Sequence, residues 1–166
     1  MNMILQKVYY NVQKYLLEQK LLHDKEYLCD IESEPDYNYI GDDTFALKIP
    51  VFECELAGGK ALHYKKMFEW ENEYKHRLFY DHTTKSRFDK KWYEVWSYKE
   101  SGDDIEHYVT IAVHFSKMFL LDKNDDAFSL WSSGSRNPIM IIYDGDTLAI
   151  ILPHSSVDEE RTIKGR

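Results

Sequence analysis

The alternation of apolar and polar positions divides this chain into helical and extended stretches. Over residues 3–22, Leu5, Val8, Val12, Leu16 and Leu22 return near one face of a 3.6-residue turn, and Lys7, Lys14 and Lys20 fall elsewhere. That spacing predicts an amphipathic N-terminal helix. Pro35 follows, then residues 36–40 and 45–56 read as two strands joined at Gly41-Asp42-Asp43-Thr44, a turn composition. Gly58-Gly59 ends this hairpin unit. Residues 60–80 return to helical spacing through Tyr64, Met67, Phe68, Tyr74 and Leu78, and the polar run 81–87 breaks it.

The last seventy residues have the period of strands. Residues 90–99 and 105–115 flank a Gly/Asp turn, and in the second stretch Ile105, Val109, Ile111, Val113 and Phe115 alternate with more polar neighbours. Residues 127–133 read as a further strand. Residues 139–152 hold two apolar runs around Asp144-Gly145, the dipeptide of a tight hairpin. Both runs are apolar on both faces, so the sheet there needs a cover on each side: a helix on one, and loops or a second subunit on the other. The expected fold is α+β: an N-terminal helix, a β-hairpin, a second helix, then a C-terminal antiparallel β-meander of about five strands. It forms a single domain over 1–154, with a flexible polar tail over 155–166.

Composition narrows the class. With 166 residues and 43% hydrophobic side chains, the chain can bury a normal core. Two cysteines, Cys29 and Cys54, make no disulfide framework, and the N-terminus lacks a basic start followed by an apolar segment. No apolar run is long enough to cross a bilayer. These features predict a cytoplasmic protein without a membrane partner. Abundant Lys, Ile and Tyr suit an AT-rich genome such as that of a bacterial virus or mobile element.

Charge changes the picture further. The net charge is −8, which opposes binding a long nucleic acid over the whole surface. It is unevenly spread. Residues 60–99 hold ten basic and six acidic side chains, whereas residues 30–55 hold eight acids against Lys48 alone. The acidic pole (Asp30, Glu32, Glu34, Asp36, Asp42, Asp43) suits a partner with a basic, nucleic-acid-binding surface. In the basic stretch, Trp70, Trp92 and Trp96 interleave with cations that include Arg87 and Lys91. That mixture suits a protein interface, or stacking on a nucleotide or single strand.

The candidate chemistry lies in two His-x-Thr/Ser pairs, His82 with Thr84 and His154 with Ser156. An imidazole titrates near neutrality and serves as acid or base, while a hydroxyl holds phosphate. The pairs resemble the motifs of the two-histidine phosphoesterases, which implies a phosphodiesterase with His82 and His154 as acid and base. The sequence departs from that family in the polar run after His82, and a third copy, His114 with Ser116, sits in the stretch 105–115. Asp122, Asn124 and Asp126 have calcium-loop spacing, but Ala127 and Ser133 stand where such a loop needs Gly and Glu. The sequence therefore calls for no metal and no cofactor. The function that requires no missing motif is a small acidic protein-binding module, of the inhibitor or immunity (anti-defence) type, acting by surface complementarity. A phosphodiesterase, or a nucleotide or nucleic-acid binder through 60–99, is the alternative.

Overall fold

The computed structural model describes residues 2–30, 36–56, 68, 73–100, 102, 104–134 and 136–154. Helix α1 (Met3–His23) opens the chain, followed by strands β1 (Leu28–Asp30), β2 (Tyr37–Gly41) and β3 (Phe45–Pro50) and a 3₁₀ turn over Val51–Glu53. Then come β4 (His76–Lys85), β5 (Trp92–Lys99), β6 (Glu106–Ala112), a short helix α2 (Val113–Met118), β7 (Phe128–Ser132), β8 (Ile139–Tyr143) and β9 (Asp146–Ile151). The architecture is α+β with one antiparallel sheet in the order β1-β2-β3-β9-β8-β7-β4-β5-β6.

Local chemistry sets the element ends. Asn2 caps α1, its side-chain oxygen accepting from the Ile4 and Leu5 amides, and Asp24 ends the helix in the left-handed region with φ 52°. Val8, Val12 and Leu16 are buried at helical spacing, while Leu22, expected on the same face, is exposed at the fraying end. The β2–β3 turn is tight. A Cβ on Gly41 would meet the Phe45 carbonyl oxygen, and the Asp42 carboxylate accepts from the Thr44 amide at 2.7 Å and its hydroxyl at 2.6 Å. The β8–β9 turn places Asp144 at φ 51° and Gly145 at φ 87°, as a two-residue hairpin requires.

The sheet has nine strands where a two-stranded hairpin and a meander of about five were expected, and the C-terminal part is not a simple meander. Residues 76–80, read as the end of a second helix, form the first half of β4; the bulk of that expected helix (60–72) lies outside the described residues apart from Phe68, which is helical. The helical spacing that ran through Tyr74 and Leu78 misled because on β4 only Leu78 is buried, so the two-residue period is barely written in hydrophobicity. The polar run after His82 is likewise strand as far as Lys85. Residues 113–115, expected as strand, turn into α2. The tail 155–166 lies outside the described residues.

Strand β4 joins two parts of the sheet. His76–Leu78 pair with β7, and Phe79–Lys85 pair with β5. A bulge between Tyr80 and His82 adds twist at that switch. One face of the sheet packs on α1 and α2 through Phe45, Leu47, Leu130, Ile141, Phe115 and Phe119. On the opposite face, Tyr39, Ala46, Met140 and Ile150 pack with Phe68 and Tyr74, so the β8–β9 hairpin is covered on both sides by its own chain. The sheet curls back on itself. Beyond β9, the His154 amide donates to the Thr110 carbonyl of the edge strand β6 at 2.7 Å.

Candidate functional site

Paired positions across antiparallel strands share a face. His82 is opposite Val95 and Thr84 is opposite Tyr93, so these four side chains stand on one face of β4–β5. The β9-to-β6 crossing brings His154 onto the same face, its ring centroid 4.3 Å from that of Tyr93. His82, Thr84 and His154 thus share one face. Each imidazole there has its own carboxylate. His82 Nδ1 lies 2.5 Å from Asp81 Oδ2, and His154 Nε2 lies 3.8 Å from Asp89 Oδ2 and 3.1 Å from the Tyr93 hydroxyl. Ser156 lies outside the described residues.

Asp89 and Tyr93 form the firm part of this cluster. The Tyr93 hydroxyl donates to Asp89, and the Lys91 amide donates to the same carboxylate at 2.9 Å. These bonds hold the Asp89 carboxyl below its ordinary value, with His154 and Lys91 adding a smaller charge effect. Burial, then the bond to Asp89, raises the Tyr93 phenol well above the usual tyrosine value. The third motif copy goes elsewhere. His114 stands on α2, stacked on Tyr15 at 5.7 Å, and burial lowers its pKa. The Ser116 hydroxyl donates to Glu94 at 2.7 Å.

Glu94 is a buried carboxylate on the inner face of β5. It accepts from Trp96 Nε1 at 3.1 Å and from Ser116, and pairs with Lys123 Nζ at 3.0 Å. Lys123 also lies over the Tyr80 ring, 4.0 Å from its centroid. The Asp122–Asp126 stretch, with its calcium-like spacing, is a turn in which Asp122 accepts from the Asn124 amide and Asp125 from the Ala127 amide. Among the described residues, no three His, Cys, Asp or Glu side chains are grouped to hold a metal ion.

The β4–β5 turn is the most exposed aromatic feature on these strands. The Ser86 amide donates to the Lys91 carbonyl, the Lys90 amide to the Ser86 carbonyl, and the Phe88 amide to Ser86 Oγ. Lys90 takes the left-handed conformation with φ 65°. On this braced turn Phe88 is 71% exposed and Trp92 54% exposed. Arg87, Lys90 and Lys91 surround them, all exposed. Trp96 stands on the same face of β5 as Trp92 but in mid-strand, where it is buried against Glu94 and, at 5.8 Å, Tyr80.

The acidic pole is only partly a surface. Asp36 and Asp43 are exposed, whereas Asp42 is nearly buried and spent on its turn. Asp30 ends β1. Glu32, Glu34 and Trp70 lie outside the described residues. Sequence reasoning singled out Arg87, Lys91 and Trp92 but missed Phe88, Asp89 and Tyr93. Phe88 was legible as an aromatic among cations; the partners of Asp89 and Tyr93 come from folding. No helix among the described residues is long and apolar enough to cross a membrane. Comparison with protein-family models, with curated proteins and with solved structures finds no significant match to this chain.

Proposed function

We propose that this protein is a protein-binding module of the inhibitor or immunity type, which acts by surface complementarity with the β4–β5 turn as its contact point. The observation that carries this reading is the pair of exposed rings, Phe88 and Trp92, on a turn braced by Ser86 and Asp89 and ringed by Arg87, Lys90 and Lys91. Aromatic and arginine side chains dominate binding energy at interfaces, and a braced turn loses little entropy on docking. The complementary partner is a protein with an acidic rim around an apolar pocket. The exposed Asp36 and Asp43 repel the wrong face of such a partner and so favour one orientation of approach.

The test is affinity purification from the source cells with wild type and with the triple variant Arg87→Ala, Phe88→Ala, Trp92→Ala. The reading expects a stoichiometric protein partner that the wild type retains and the variant loses, with the melting temperature unchanged. A partner retained equally by both proteins refutes the assignment to this turn. Absence of any stoichiometric partner refutes the binding-module reading itself.

A further inference from the structure

We propose a second binding site, for a single nucleoside phosphate, in the concavity at the open end of the β4–β5–β6 sheet. Arg77 and Phe79 stand two apart on β4, and Phe79 pairs with Ser97 on β5. Lys99 follows two residues later and pairs with Glu106 on β6. All five therefore share one face, and with Lys75 they line a cavity of about 720 Å³. That is within the usual range for a small-molecule site.

The lining has two kinds of surface that a nucleotide needs. Phe79 is 60% exposed, and the Arg77 guanidinium carbon lies 5.5 Å from its ring centroid. With the guanidinium over one face of the ring, the other face of Phe79 and the guanidinium plane itself remain as platforms for a planar base. Among the described lining residues, Lys75, Arg77 and Lys99 supply three positive charges against the carboxylate of Glu106, so an anion is drawn to this concavity on a chain of net charge −8. His76 and Tyr98 also line the cavity, and His76 stacks on Tyr98 at 4.5 Å and Tyr98 on His107 at 5.0 Å, which stiffens the wall. The Ser97 hydroxyl and the Glu106 carboxylate supply polar contacts for sugar hydroxyls or base amines. Glu106 is held in place by the Tyr108 hydroxyl, which donates to it at 2.7 Å.

The occupant is one nucleotide rather than a strand. The cavity has room for one base and its phosphate, and its described cations, Lys75, Arg77 and Lys99, are gathered at this one end of the sheet. The site is separate from the β4–β5 turn. Six residue steps of about 3.3 Å each, about 20 Å, lie along β4 between Phe79 and Lys85. Failure at one surface can therefore be read without failure at the other.

Calorimetric titration of the full chain with AMP, GMP, CMP and UMP, and with adenosine and inorganic phosphate as separate probes, tests the site. The expected result is binding of at least one nucleoside monophosphate, weakened about tenfold or more by Phe79→Ala and again by Arg77→Ala, and untouched by Trp92→Ala. Adenosine alone and phosphate alone bind more weakly than AMP, because each meets only half of the lining. Both substituted side chains are exposed, and an unchanged melting temperature checks that the variants fold. The proposal is overturned by any of three results: no binding of any monophosphate at millimolar concentration, binding that survives Phe79→Ala, or phosphate binding as well as the nucleotides. Oligonucleotides whose affinity keeps rising with length overturn the single-nucleotide assignment.

Discussion

The imidazole of His154 lies against the phenol ring of Tyr93, 61 residues away in sequence, and the Tyr93 hydroxyl binds Asp89 on its other side. This contact fastens the chain beyond β9 across the β5–β6 strands, alongside the His154–Thr110 backbone bond. The contact between the two residues therefore helps hold the curled sheet closed, and Asp89 braces it through the Tyr93 hydroxyl.

Acid should loosen that closure. The Asp89 carboxyl is held below its ordinary value of 3.8 by the Tyr93 hydroxyl and the Lys91 amide. A carboxyl depressed in the folded state adds stability that is fully present above its unfolded value and is lost as pH falls through its folded value. Urea titrations of wild type and Asp89→Asn from pH 7 to pH 2.5 (about the useful range) should show a wild-type advantage at neutral pH that shrinks from below about pH 5. A constant difference across that range would separate Asp89 from the acid limb.

His114 makes the opposite kind of contribution. Burial on α2 disfavours its charged form, so its folded pKa lies below the ordinary 6.5. The unfolded chain then binds the proton more tightly, and stability falls as pH drops below 6.5 towards the folded value. In His114→Phe, which keeps the stack on Tyr15, the pH 7-to-5 decline (about two units of pH) should flatten. An unaltered slope in that variant would assign the decline to another group.

The Glu94–Lys123 pair offers a test of the buried network. Lys123→Met leaves the Glu94 carboxylate buried with, among the described residues, Trp96 and Ser116 as side-chain donors. Removing one partner of such a pair costs about 3–5 kcal/mol, and the one-third exposure of Lys123 sets the expectation at about 3 kcal/mol or somewhat less. Adding Glu94→Gln to Lys123→Met should recover part of that loss, since the amide carbonyl still accepts from Trp96 or Ser116 and carries no charge. If the two substitutions are strictly additive, Lys123 is only a surface lysine.

Two leucines on α1 separate its faces. Leu16 is buried in the main core, and Leu21, five residues on, is exposed. Leu16→Ala should cost about 3 kcal/mol, and Leu21→Ala should stay within about 0.5 kcal/mol. Thermal or urea unfolding distinguishes them; similar losses at both sites would mean that α1 is covered on its outer face as well.

Much of the element plan was legible in the sequence, because it rests on short-range chemistry. α1 follows from the spacing of Val8, Val12 and Leu16, and the β8–β9 hairpin from Asp144-Gly145 between apolar runs. The β2–β3 turn follows from Gly41 and Asp42. β4 was not legible: its residues alternate between exposed and half-buried with only Leu78 in the core, so hydrophobicity carries almost no trace of the strand. Its place between β7 and β5 is set by backbone hydrogen bonds, which leave no side-chain signature.

The candidate sites divide the same way. The sequence by itself determined which side chains carry chemistry: imidazoles with nearby hydroxyls, aromatic rings among cations, a run of acids. Only the tertiary structure decided which of them meet. It buried Trp96 in mid-strand and left Trp92 exposed at the strand's end, although the two are four residues apart and share a face. It gave Asp42 to a turn, Ser116 to Glu94, and His154 to a tyrosine. The physical reason is that the two-residue period of a strand assigns faces only after pairing, curl and bulges are set, and those depend on contacts between residues far apart in the chain.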